Sequence, residues 1–148
     1  MNISLMTIED YDAVYALWMS TPGMGLNTLD DSREGIEAYL RRNPTTCFIA
    51  KDDGKSVGVI LSGHDGRRGY IYHLAVAMEA RGKGMGGRLV GQALEALKQE
   101  GINKVALVAF SRNESGNRFW GTLGFEARND LIYRSKVITS RNMERIDT

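Results

Sequence analysis

The sequence predicts an α/β fold of the α+β type, a mixed central sheet of about six to seven strands flanked by about four helices. Three observations predict it. Three consecutive runs rich in β-branched and aromatic residues lie between Thr46 and Val76, separated by turn-forming clusters, which reads as an antiparallel meander. A glycine-rich basic loop, Arg81-Gly82-Lys83-Gly84-Met85-Gly86, then opens a long amphipathic stretch that ends near Glu100. Beyond it, Lys104 to Phe110 is almost wholly apolar, as a central strand parallel to the one before the loop would be, joined to it by a right-handed crossover.

Each element has its own signal. Asn2 to Met6 alternates and is read as a first strand, and Thr7-Ile8-Glu9-Asp10 is a capped helix start after which Tyr11, Val14, Tyr15 and Trp18 recur at helical spacing. Thr21 to Asn27 breaks that helix into a loop in which Met24 and Leu26 are apolar without periodicity. A second helix begins at Asp31 or Ser32, carries Ile36, Tyr39 and Leu40 on one face, and ends at Asn43-Pro44. Thr46 to Lys51 and Ser56 to Ser62 form a hairpin, and Gly63 to Gly69 turns the chain into the strand Tyr70 to Val76. Leu89, Val90, Ala93, Leu94 and Leu97 make the apolar stripe of the helix behind the glycine-rich loop. Asn113 to Leu123 is a short helix, Phe125 to Arg128 with Leu131 to Val137 is a closing hairpin, and the last ten residues are a loose polar tail. One domain spans 1–148, with its core about 3–137.

Composition narrows the function. The chain has 148 residues, 43% hydrophobic and 25% charged, with 19 basic against 18 acidic side chains. That balance carries no basic excess for nucleic acid, and no apolar run approaches the ~20 residues of a membrane span. Cys47 is the single cysteine, set in the apolar run Thr46 to Ala50, so it reads as a buried structural residue, and no metal site is indicated. The expected location is the cytoplasm.

The loop reads as an anion cradle. Glycines at 82, 84 and 86 let the backbone approach a ligand, the following helix directs free N–H groups at it, and Arg81 and Lys83 add positive charge. A phosphate-bearing ligand fits. Gly82, Gly84 and Gly87 formally match a dinucleotide fingerprint, with Arg112 as a 2′-phosphate ligand, but Ala77 to Ala80 separate the loop from its strand and the preceding strands are a meander. A nucleoside-triphosphate loop needs Ser or Thr after its lysine, and Gly84 follows Lys83.

Leu74-Ala75-Val76, four residues, then Arg81 to Gly86 resembles motif A of the GNAT acetyltransferase superfamily, whose core is Q/R-x-x-G-x-G/A. Asn113, then Trp120 and Leu123-Gly124-Phe125, resembles that family's C-terminal signature. The resemblance runs from about Ile3 to Val137. It implies a GNAT fold in which the strands ending at Val76 and Phe110 splay apart and hold acetyl-CoA between them. It implies that the backbone of Leu74, Ala75 and Val76 pairs with the pantetheine arm, that Arg81, Gly82, Lys83, Gly84, Met85 and Gly86 hold the pyrophosphate, and that Asn113 and Trp120 flank the cofactor.

The implied reaction moves an acetyl group to a primary amine by direct attack in a ternary complex. A lysine-like amine with a pKa near ~10.4 must first lose a proton. His73 is the candidate general base or water-holder, and its competing role is packing beside Ile71 and Ala75; His64 with Asp65 is a second candidate, against simple turn chemistry. Trp120 departs from the tyrosine that many members carry to protonate the leaving thiolate, which leaves Tyr70, Tyr72 and Tyr133 as other donors. The oxyanion donor would be a backbone N–H near Ala75 or Val76. A non-catalytic acyl-CoA-binding or sensor domain is the alternative of another class. The acceptor, a small molecule or peptide, is unreadable, and a homodimer is left open.

Overall fold

A computed structural model describes all 148 residues. The elements run β1 (Asn2–Leu5), α1 (Tyr11–Met19), β2 (Leu26–Asn27), α2 (Arg33–Arg42), β3 (Phe48–Asp52), β4 (Lys55–His64), β5 (Gly69–Val76), α3 (Met85–Gln99), β6 (Val105–Ala106), α4 (Glu114–Thr122) and β7 (Arg145–Ile146). The central sheet has five strands in the order β1-β3-β4-β5-β6, and β2 pairs with β7 in a small second sheet. All pairs in the central sheet are antiparallel except β5 and β6.

β4 is buried continuously from Val57 to Gly63, because both faces of the sheet are covered. On one face Val14, Leu17 and Trp18 of α1 and Ile36 and Leu40 of α2 pack on Ile49, Val59 and Leu61. On the other, Leu89, Val90 and Ala93 of α3 pack on Phe48, Ala50, Ile60 and Ile71. Gly58 sets how close α3 comes, since a Cβ there would lie 2.9 Å from Leu89 Cδ1. The helix starts follow local chemistry. Asp10 accepts the Thr7 N–H at 2.9 Å ahead of α1, and Ser32, not Asp31, caps α2 by accepting the Gly35 N–H at 3.0 Å. At the far end of α2 the Asn43 side chain accepts the His64 N–H at 3.0 Å, which ties the helix to the end of β4.

Three expectations are corrected. The strand expected over Lys104 to Phe110 keeps only Val105–Ala106, because β5 and β6 share just the registers Gly69–Val105 and Tyr70–Ala106 before they part. The closing hairpin of Phe125 to Arg128 and Leu131 to Val137 does not form, and 125–144 holds no strand. A hairpin needs a sheet edge and a face to receive it, and 125–144 pairs with no strand of the central sheet. The tail is not loose: Ile146 pairs with Leu26, and Thr148 Oγ1 accepts the Met24 N–H at 3.1 Å while donating to the Thr21 carbonyl. The last fully buried residue is Ile102. No helix is long and apolar enough to cross a membrane.

Because Leu89 is fully buried between α3 and the sheet, Leu89→Ala is expected to destabilise the chain by about 2–5 kcal/mol, read as a shift in the urea midpoint.

Candidate active site

The site grows from the point where β5 and β6 separate. Beyond Tyr70 the β6-facing edge of β5 has no strand partner, and an open cleft of about 2000 Å³ runs between the two segments. At one end lie the cradle, Asn113, Phe119 and Trp120; at the other lie Asp30, Asp31, Tyr39, Tyr70, Tyr72 and His73.

At the cradle end, Gly82 and Gly84 adopt φ of 74° and 76°, and Gly84 is the N-cap of α3. The first backbone donor of the helix that finds an acceptor in its own chain is Arg88, bonded to the Gly84 carbonyl at 3.0 Å. The amides from Gly82 to Gly87 therefore remain available, with the positive end of the α3 dipole behind them. Arg81 bends back so that its Nε donates to the Val76 carbonyl at 3.0 Å, which fastens the loop to the end of β5. Lys83 does not line the cleft, and the Met85 side chain is buried in the core, so what Met85 offers is its amide.

Asn113 caps α4, its Oδ1 accepting the Gly116 N–H at 3.0 Å, with its Nδ2 left over. Trp120 lies edge to face between Phe119 at 5.1 Å and Phe125 at 5.2 Å. A Cβ on Gly86 would come within 3.2 Å of Phe119 Cζ, so α4 rests directly on the first turn of α3.

At the other end the structure brings together residues that sequence reasoning did not pair. His73 is 8% exposed, and its Nε2 lies 2.7 Å from Asp31 Oδ1. Asp31 Oδ2 accepts the Asn27 N–H at 2.8 Å, so the carboxylate is an acceptor and His73 Nε2 carries the hydrogen. That leaves Nδ1 as the acceptor nitrogen, and it is buried without a partner. Trp18 stands edge-on to the imidazole at 5.0 Å. Asp31 precedes a helix and looked like a cap; its partner is 42 residues away, a separation that leaves no local signal.

Tyr72 stacks at 5.6 Å on Tyr39 and at 4.6 Å on Tyr70, forming an aromatic wall. Burial, then the neighbouring Tyr133, pushes the Tyr70 and Tyr72 phenols above their ordinary values, and Asp30 adds to the effect on Tyr72. Both stay protonated at neutral pH. His64 and Asp65 serve the turn: His64 Nδ1 accepts the Gly66 N–H at 2.9 Å, and Asp65 Oδ1 accepts from the amides of Arg67 and Arg68 at 2.8 Å each.

A family model described as "Acetyltransferase (GNAT) family" matches residues 11–125. The chain belongs to the GNAT acetyltransferase family. It is an acyltransferase of that family, and acetyl-CoA is the family's acyl donor. It is 27% identical over 141 residues to an acetyltransferase of Pectobacterium atrosepticum, covering 95% of this chain and 99% of that one. The PaiA N-acetyltransferase of Thermoplasma acidophilum, solved with coenzyme A, shares the fold at a TM-score of 0.73 and 17% identity, covering 86% of this chain and 91% of that one. AAC(6′)-Iy, solved with the bisubstrate analogue CoA-S-monomethyl-acetylneamine, does so at 0.70 and 18%, covering 93% and 98%.

Cys47 stands outside this chemistry. Burial pushes its thiol up to about 12, and Sγ donates to the Ser62 carbonyl at 3.2 Å. At pH 8 iodoacetamide is expected to leave the native protein unmodified and to label the denatured chain fully, as read by intact mass.

Proposed function

We propose that this protein transfers the acetyl group of acetyl-CoA to a primary amine by direct attack in a ternary complex, in the cytoplasm. The observation that supports this best is the row of free amides at Gly82 to Gly87 opening into the wedge between β5 and β6. These residues fit the cofactor: a pyrophosphate needs a helix N-terminus whose donors are unspent, and an amide-rich arm needs an unpaired strand edge. The amides of Gly82 to Gly86 would hold the pyrophosphate, the Arg81 N–H being spent on the Met78 carbonyl at 3.2 Å, the β5 edge at Leu74, Ala75 and Val76 would take the pantetheine arm, and Asn113 Nδ2 and Trp120 would face the cofactor from α4. When bound, acetyl-CoA supplies the acetyl group as an activated thioester.

The chain's own groups supply the rest. A backbone N–H near Ala75 or Val76 would donate to the developing oxyanion. At the aromatic end, Tyr39, Tyr70, Tyr72 and the carboxylate of Asp30 make a surroundings that attracts a cationic amine before it is deprotonated. His73 takes the proton of the amine at Nδ1, through a water, while Asp31 holds the ring and its tautomer. Trp120 walls the thioester and donates no useful proton. Its place needs no acid, because a thiol of pKa about 8.5 departs as the anion near neutral pH. Tyr70 and Tyr72 remain protonated donors within the same cleft.

Calorimetric titration with acetyl-CoA, with NADPH as control, is expected to show saturable binding of acetyl-CoA alone, followed by release of free thiol when an amine panel is added. Gly84→Val forces a β-carbon into a left-handed N-cap, and should weaken acetyl-CoA at least tenfold at a cost of about 1–2 kcal/mol in stability. Binding of both nucleotides, or of neither, would count against the cradle. His73→Ala is expected to lower kcat about 10²-fold and to change the shape of its pH profile, with KM for acetyl-CoA unchanged, and Asp31→Asn to move the profile in part. A profile of unchanged shape and height in His73→Ala would make His73 structural.

A further inference from the structure

We propose that the acceptor is a primary amine carrying a remote anionic group, a carboxylate or a phosphate, which Arg42, Arg67 and Arg68 bind at the end of the cleft beyond the tyrosines. The proposal rests on the acetyl-transfer reading and adds the chemistry of the acceptor to it.

The first observation is how the charges of the cleft are spent. Its carboxylates are Asp30, Asp31 and Asp65. Asp31 gives one oxygen to His73 and the other to the Asn27 N–H, and Asp65 Oδ1 accepts from two amides of its own turn. Asp30 accepts from Asn27 Nδ2 at 2.9 Å through one oxygen and keeps the other for a single ammonium. Arg42, Arg67 and Arg68 line the same cleft, and their guanidiniums enter no ion pair and no hydrogen bond. Arg41, one residue earlier, lies outside the cleft and is paired with Glu37 at 3.8 Å. A polycationic acceptor would meet three guanidiniums and one open carboxylate, whereas an amine with a distant anion finds a partner for each of its charges.

The second observation is that separate elements bring these arginines together. Arg42 ends α2, whereas Arg67 and Arg68 lie in the turn between β4 and β5. The end of α2 sits directly on the end of β4: a Cβ on Gly63 would come within 2.6 Å of both Asn43 Cγ and Tyr39 Oη, and Asn43 Oδ1 accepts the His64 N–H. The turn is fixed by the bond from the Gly66 N–H to His64 Nδ1 at 2.9 Å and by those from the Arg67 and Arg68 amides to Asp65. A helix dipole favours one cation at the end of α2, but it accounts for neither arginine on the adjoining turn. Guanidiniums carried on fixed backbone suit a carboxylate or a phosphate, which they bind through paired N–H donors.

The third observation sets the length of the acceptor. Arg68 immediately precedes β5, and from it to His73 the strand rises roughly 16 Å at ~3.3 Å per residue. Even with an arginine side chain extended along the strand, a carboxylate on the carbon that bears the amine falls short. Tyr70 and Tyr72 occupy the interval, with Tyr39 stacked on Tyr72, so the middle of the acceptor runs over aromatic rings. A peptide amino terminus with acidic residues at its third and fourth places has this layout, and so does an aminoalkyl phosphate.

The test is steady-state acetylation of matched peptides that begin Ala-Gly and continue with two Glu, two Gln or two Arg, beside 8-aminooctyl phosphate and octylamine, read by thiol release and product mass. The Glu peptide, the aminooctyl phosphate or both are expected to exceed their uncharged counterparts about tenfold in kcat/KM, by an advantage that shrinks as salt is raised. Which of the two does so tells a peptide acceptor from a small phosphorylated one. Arg67→Glu with Arg68→Glu should reverse the order in favour of the Arg peptide. It should leave KM for acetyl-CoA and the urea midpoint unchanged, because both side chains are exposed. Arg42→Ala should raise KM for the anionic acceptor and not for the Gln peptide, a split that a structural role would not produce. Uncharged or basic probes that match or outrun the anionic ones overturn the proposal and leave the acetyl-transfer reading standing, and an order that the double variant does not change overturns it as well. Binding of acetyl-CoA with no probe of any charge acetylated would bring down the transfer reading and this proposal together.

Discussion

The parting of β5 and β6 is the constraint on which the rest depends. Two parallel registers hold the strands together, and past Tyr70 and Ala106 the sheet has no ladder to close it. The backbone groups freed on β5 become a binding edge, and the space between the strands becomes the cleft. The direction in which β5 ends places the Arg81 to Gly86 loop at the mouth. A sheet that stayed paired would satisfy those groups internally and leave no site. α3 makes the opening tolerable, since its packing on Gly58, Ile60 and Ile71 holds the sheet from behind while its own first-turn amides stay unspent.

Burial is divided just as sharply. The four strands from β1 to β5, excluding β2, carry helices on both faces and hold nearly the whole core, with Val59, Ile60 and Leu89 fully enclosed. The part of the chain after Ile102 packs on that body without contributing to its interior. Its anchors are specific: Phe119 against Gly86, and β7 against β2. This second anchor brings the C-terminus to the Thr21 to Asn27 loop, part of which lines the cleft.

His73 and Asp31 form a buried polar pair in the cleft, 8% and 6% exposed. A buried imidazole with one nitrogen unpaired is costly unless the position serves something other than stability. The surrounding bonds are spent on holding it: Asn27 on one carboxylate oxygen, His73 on the other, and Tyr11 Oη on the Asp31 carbonyl at 2.7 Å. Such a shell fixes the ring and its tautomer and leaves Nδ1 as the one uncommitted atom.

By itself the sequence determined what depends on neighbours along the chain. Periodicity marked α1, α2, α3 and the meander, and the glycine spacing with its basic residues marked the cradle, because side-chain repeats of 3.6 and 2 and a left-handed N-cap are local properties. Asn113 stands at the start of its helix as read, where its side-chain carbonyl serves as the cap. What only the tertiary structure decided is whatever needs a distant partner. Asp31 could not be recognised before His73 was beside it, Arg81 was read as positive charge for the cradle and its Nε is tied to the Val76 carbonyl, and Leu131 to Val137 has the composition of a strand but pairs with none. A strand, unlike a helix, makes its hydrogen bonds elsewhere in the molecule, so local pattern proposes it and only the assembled sheet grants it.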